Sequence, residues 1–170
     1  MGESARILVV DDDENIRKVL TTILEEEGYT VEQAETAQKA IEITKRKAYN
    51  LALIDIRLPD MEGIELLTKV RDTTPKMRKI IITGYPTLQN AIEAVNRGAD
   101  AYIVKPFDMD KVLATIKEQL KLQKEEQKYS QEKVAEFIET RVRVGSGKGG
   151  IQEKAIKPFS MPQNFYNFSL

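Results

Sequence analysis

The stretch RILVVDDDENIR, residues 6–17, carries four consecutive apolar residues into three consecutive aspartates. Ile7 to Val10 is too short a run for a helix and rich in β-branched side chains, so it reads as a strand with apolar residues on both faces. From Asn15 onward the apolar residues recur at helical spacing. The strand therefore ends in Asp11, Asp12 and Asp13 just before a helix begins. Three carboxylates this close repel one another, and something cationic is expected to offset them.

The same pattern returns four more times along the chain. TVEQA (30–34), LALID (51–55), KIIIT (79–83) and AYIVK (101–105) are short β-prone runs, each followed by an amphipathic stretch: AQKAIEITKRKA, IELLTKVRD, LQNAIEAVNRG and MDKVLATIKEQL. Gly28, Gly98 and Pro75 stand where helices should stop. The first, third and fourth runs are nearly continuous in apolar residues, as strands buried on both faces must be, while the second and fifth are more mixed. Short connections and right-handed crossovers then predict an α/β fold, a doubly wound parallel sheet with helices on both faces.

Ligands of such sheets gather at the carboxyl ends of the strands. Here the first strand ends in Asp11, Asp12 and Asp13, the third in Asp55, the fourth in Thr83, and the fifth in Lys105 followed by Pro106. Polar residues are common after strands as caps and turns, which accounts for Asp13 by itself but not for the whole set. The oxygen-only group Asp11, Asp12 and Asp55 suits a hard cation of the magnesium type. A carboxylate nucleophile with an opposing lysine beside it suits a phosphoryl group, held as an acyl phosphate.

Composition narrows the choice further. Among 170 residues there is no cysteine and no histidine, which removes disulfides, thiolate or imidazole metal sites and histidine-based triads together. With 26 basic and 27 acidic residues the net charge is -1, so no overall field favours nucleic acid or an anionic membrane. No apolar run approaches the roughly 18 residues of a membrane span, and MGESARILVV lacks the basic flank and apolar core of a signal peptide. A cytoplasmic location is expected.

Over residues 5–121 the chain resembles a response-regulator receiver domain. The resemblance is carried by the acidic pair in LVVDDDENIR, by LIDIRLPDMEG, by IITGY and by DAYIVKPFD, in family order and at family spacing. It implies a flavodoxin-like five-stranded sheet of order 2-1-3-4-5. It further implies Asp55 as phosphoacceptor, with Mg2+ ligated by Asp12, Asp55 and the backbone carbonyl of Arg57, and by Asp11 through water. Lys105 would contact the phosphoryl oxygens, Thr83 would donate a hydrogen bond to them, and Tyr102 would turn inward behind Thr83. Asp13 falls one past the family's pair and reads as a solvated or helix-capping residue. Pro106 resembles the family's cis proline. Arg57 and Tyr85 occupy the two positions that flank the site, and their bulk predicts slow loss of the phosphoryl group.

On this reading the protein is no turnover enzyme but a phosphoacceptor switch, and its donor is a sensor histidine kinase, a phosphotransfer protein or a small phosphodonor. The output partner is unknown, and no nucleic-acid or membrane binding by this chain is expected. Two alternatives stay open: a non-switching interaction module, and a haloacid-dehalogenase-like phosphatase. Asp11 and Asp13 can be set to the phosphatase spacing, but Asn15 stands where Thr or Val is usual.

From Asp108 to Arg143 the chain has no glycine or proline, and the last helix is expected to run past the domain as an extended C-terminal helix, with 122–143 a helical linker or weak coiled coil. Leu113, Ile116, Leu120, Gln123, Gln127, Ser130, Val134 and Phe137 trace a heptad seam with a polar middle, one route to a homodimer. RVGSGKGGIQEK lacks the first glycine and the hydroxyl of a phosphate-binding loop and follows a helix. Residues 144–170 therefore read as a flexible glycine-rich linker and an aromatic tail.

Overall fold

A computed structural model describes residues 2–145, which fall into two units divided between Glu132 and Lys133. The first unit alternates strand and helix: β1 (Arg6–Val10), α1 (Glu14–Glu26), β2 (Thr30–Ala34), α2 (Ala37–Arg46), β3 (Leu51–Ile54), α3 (Gly63–Lys69), β4 (Arg78–Thr83), α4 (Leu88–Asn96), β5 (Ala101–Val104) and the start of α5 (Met109–Gly145). The five strands are all parallel, in the order β2-β1-β3-β4-β5. The mixed second and fifth runs are thus the two edges, where a strand is covered less completely.

Alternation along each central strand feeds two apolar layers. Ile7 and Val9 of β1 face Leu20 and Leu24 of α1 and Val112 and Ile116 of α5. Leu8 and Val10 face Ala37 and Ala40 of α2 and Leu66 and Leu67 of α3. Both faces of β1 are dry, hence its unbroken apolar run. Gly28 and Gly98 end α1 and α4 at φ +91° and +96°, a backbone region that a Cβ disfavours.

At the amino edge of the sheet the start of β4 is tied to α5 by polar contacts. The Gln123 amide donates to the carbonyls of Asn50 (2.9 Å) and Lys76 (2.7 Å), and Arg78 pairs with Asp100 (3.1 Å) and Glu126 (2.7 Å). The expected heptad seam is therefore divided. Ile116, Leu120 and Gln123 are buried in their own domain, whereas Val134 and Phe137 in the second unit are exposed. Periodicity marks which face of a helix is apolar, not which partner covers it. The linker and tail expected over 144–170 begin two residues too early, since α5 continues to Gly145 without a helix breaker before it, and the rest of that segment lies outside the described residues. Among the described residues no helix is long and apolar enough to cross a membrane.

Candidate functional site

The acidic cluster forms because β1 and β3 are neighbours in register. Val10 pairs with Ile54, and the Asp55 N–H donates to the Val10 carbonyl at 2.9 Å, which brings Asp11 and Asp55 side by side. Ligand-capable oxygens of Asp11, Asp12 and Asp55 lie within 4.8 Å of one another. Asp11 and Asp55 are buried and Asp12 is exposed. Asp13 caps α1, its carboxylate accepting from the N–H groups of Asn15 (2.8 Å) and Ile16 (3.2 Å). That capping duty separates the third aspartate from the other two.

Lys105, at the end of β5, bridges the buried pair. Its Nζ stands 2.8 Å from Asp11 Oδ2 and 3.3 Å from Asp55 Oδ2. Burial would lower the lysine's pKa, but the two carboxylates raise it above its ordinary value. Burial raises the Asp55 pKa, and the nearby Asp11 charge adds to this against the opposing pull of Lys105. Asp55 Oδ1 is buried and has no hydrogen-bond partner among the described residues. A buried carboxylate oxygen left unpaired is costly, and a cation at the cluster would satisfy it. The donor set, all oxygen and anionic, fits a magnesium-type ion.

Thr83 is fully buried at the end of β4, its hydroxyl accepting from the Tyr85 N–H at 3.1 Å. Tyr102 of β5 lies on the face that carries Ile81 and Ala94, half-buried, and burial raises its phenol pKa. The peptide between Lys105 and Pro106 is cis. The Arg57 guanidinium stacks 3.4 Å from the centre of the Tyr85 ring. The two flanking positions thus form one cation–π pair joining the loops after β3 and β4, a contact that reading them singly had not revealed.

Other residues that shape the site had not stood out in the sequence. A Cβ on Gly63 would fall 1.9 Å from the Asp55 carbonyl oxygen, so only glycine lets α3 start this close to the strand end. Asp60 reaches from the same loop to the start of α2, accepting from the N–H groups of Ala37 (3.0 Å) and Gln38 (2.8 Å). A bridge between Arg57 and Glu62 closes that loop and holds the Arg57 backbone. The glycine and aspartate were visible in LPDMEG, but their partners lie elsewhere in the chain.

Comparison with known proteins agrees with this arrangement. Residues 7–117 match the family described as response regulator receiver domain. The transcriptional regulatory protein ZraR of Klebsiella oxytoca is 39% identical over 119 residues, which cover 70% of this chain and 27% of that protein. This chain therefore spans little more than a quarter of that relative's length. Among solved structures, a CheY-like response regulator receiver domain protein from Methanospirillum hungatei JF-1 is 48% identical, with a TM-score of 0.70 over 73% of this chain and 99% of that one. The response regulator protein TrrA of Thermotoga maritima, solved in complex with Mg2+ and BeF, is 33% identical, with a TM-score of 0.61 over 68% of this chain and 98% of that one. Strand order, strand-end groups and relatives all agree: this chain belongs to the receiver domains of two-component response regulators.

Proposed function

We propose that Asp55 accepts a phosphoryl group from a histidine kinase or phosphotransfer protein, and that the acyl phosphate drives a conformational switch. The observation that carries this reading is the buried, unpartnered Asp55 Oδ1 beside Asp11, Asp12 and Lys105. An Asp55 carboxylate oxygen attacks phosphorus, an O–P bond forms, and the N–P bond of the donor's phosphohistidine breaks. The imidazole leaves with the electron pair and takes up a proton. Asp11, Asp12, Asp55 and the Arg57 carbonyl would hold Mg2+, which when bound neutralises phosphoryl oxygen charge. Lys105 is placed to release Asp55 and follow the phosphoryl oxygens, since it already contacts that carboxylate. Thr83 would exchange its contact with the Tyr85 N–H for one to the phosphoryl group, with Tyr102 following it.

The face that would report this change holds Leu88, Ile92 and Val95 of α4 and Val104 of β5, all exposed apolar residues. As the relative ZraR is named a transcriptional regulator, we assign this chain's output to a partner that reads that face. The chemistry is limited to gaining and losing its own phosphoryl group, not turnover of an external ester. Incubation with acetyl phosphate and Mg2+ should add one phosphoryl mass to the intact chain, and a chelator should prevent it. Steady release of phosphate from a phosphate ester without an adduct would instead favour the phosphatase reading.

The Arg57–Tyr85 pair covers the approach by which water would reach the acyl phosphate. Arg57→Ala should shorten the lifetime of the adduct by about tenfold, which is about 1.4 kcal/mol of barrier. Decay of phosphorylated protein followed by mass after donor removal measures this; equal lifetimes would remove the role.

In the second unit Val134, Phe137 and Ile138 of α5 are exposed along one helix. We assign this stripe to pairing with a second copy of the chain. Light scattering should give a dimer mass that falls on dilution and on Phe137→Glu. A monomer mass at every concentration would end the assignment.

A further inference from the structure

Arg17 lies on the first turns of α1, outside the strand-end set, and its side chain folds back over the start of its own helix. Its Nη1 donates to the backbone carbonyl of Asp11 at 2.7 Å. The neighbouring strands do not use that carbonyl. The β1–β2 ladder closes with the Asp11 N–H on the Ala34 carbonyl at 3.1 Å, and the contact from β3 is the Asp55 N–H on Val10. The group Arg17 holds is therefore the peptide joining Asp11 to Asp12, and its plane sets the angle between the two side chains.

The guanidinium is itself held. Its Nε lies 3.4 Å from the Gln33 side-chain oxygen on β2, and the Gln33 amide donates to the Thr21 hydroxyl of α1 at 2.9 Å. Asp11 is thereby restrained at each polar atom: its N–H by Ala34, its carbonyl by Arg17, Oδ1 by the Asp13 N–H at 2.9 Å, and Oδ2 by Lys105. Arg17 makes no ion pair with the acidic cluster among the described residues. A cation that bonds a peptide carbonyl beside three carboxylates opposes a metal ion by its charge, so its contribution has to come through geometry.

We propose that Arg17 is a positioning residue for the divalent-cation site, fixing the Asp11–Asp12 peptide so that both carboxylates converge with Asp55 before the ion arrives. This rests on the reading of that cluster as a Mg2+ site. Groups just outside a metal's ligands commonly set affinity by orienting them, typically by 10–100-fold. The fork shape matters as well as the charge, because a lysine presents a point charge on a flexible stem.

The test titrates Mg2+ alone into the full chain by calorimetry, with Mn2+ counted by electron paramagnetic resonance as a second readout. Arg17→Gln and Arg17→Lys should each weaken binding about tenfold. Gln33→Leu, which keeps the charge and frees the guanidinium, should weaken it in the same direction. Melting temperatures without metal should stay close to that of the parent chain. Tighter binding by Arg17→Gln would show that charge governs the site and would overturn the proposal, as would parental affinity in Arg17→Lys. If Arg17→Gln does not fold, the other two variants decide. Absence of saturable binding in the parent chain would overturn the metal site and this role together, whereas binding that all three variants share would overturn only the role of Arg17.

Discussion

Asp55→Asn is expected to abolish the magnesium-dependent phosphoryl adduct completely while leaving the metal-free fold at least as stable as the parent. The amide keeps the size of the carboxylate and loses the nucleophilic oxygen, so no acyl phosphate can form. Intact-mass measurement with acetyl phosphate and Mg2+ reads the loss directly, and an adduct of unchanged stoichiometry would place the phosphoacceptor elsewhere. The stability half follows from the raised Asp55 pKa, caused first by burial and then by the Asp11 charge. A carboxyl whose folded pKa is raised binds protons more tightly in the native state. Its contribution to stability is fully present below the unfolded value of about 3.8 and is lost as pH rises through the folded value. At neutral pH the parent therefore carries a buried carboxylate charge, only partly offset by Lys105, that the variant lacks. The melting-temperature advantage of Asp55→Asn should be largest near neutrality without metal, shrink on acidification, and shrink again when Mg2+ stabilises the parent. A variant that melts well below the parent at pH 7 would contradict this reading of the cluster.

Gly63→Ala should be the most damaging small substitution in the domain. The added methyl would stand 1.9 Å from the Asp55 carbonyl oxygen, 2.8 Å from its carbon and 2.9 Å from Ile54 Cγ2. None of these neighbours can give way cheaply. The Asp55 N–H is bonded to Val10, the Gly63 N–H to the Ile56 carbonyl at 2.7 Å, and Ile54 lies in the ladder between β1 and β4. Either α3 or the end of β3 has to move, at a cost of about 3 kcal/mol, the upper part of the range for forcing atoms into a packed interior. That corresponds to a fall of roughly 10 °C in melting temperature for a domain of this size. Because the displaced carbonyl belongs to the residue that carries the proposed phosphoacceptor, Mg2+ affinity should fall as well. Gly84→Ala is the control: its added methyl would meet nothing nearer than Lys105 Cβ at 3.8 Å, and its melting temperature should stay close to the parent's. Equal melting temperatures for the two variants would show that α3 yields freely.

The pattern of β-prone runs and amphipathic stretches determined the five β-α units, because burial on one or two faces leaves a period in the chain that tertiary context does not erase. It also placed Asp11, Asp12, Asp55, Thr83 and Lys105 at strand ends, since in a parallel sheet all carboxyl ends share one edge. The capping role of Asp13 was legible for a related reason: its partners are the next two or three residues, and a helix start is a local event. Contacts across the sheet were not legible in this way. That a Cβ on Gly63 would meet the Asp55 carbonyl, that Arg57 stacks on Tyr85, and that Arg17 reaches the Asp11 carbonyl depend on where loops and helix ends come to rest. The same holds for Gln123, whose polar side chain looked like a weak point in a pairing seam and is instead bonded to the carbonyls of Asn50 and Lys76. Periodicity records that a face is covered; only the folded chain decides what covers it, because the partner is chosen by strand order and packing between residues far apart in sequence.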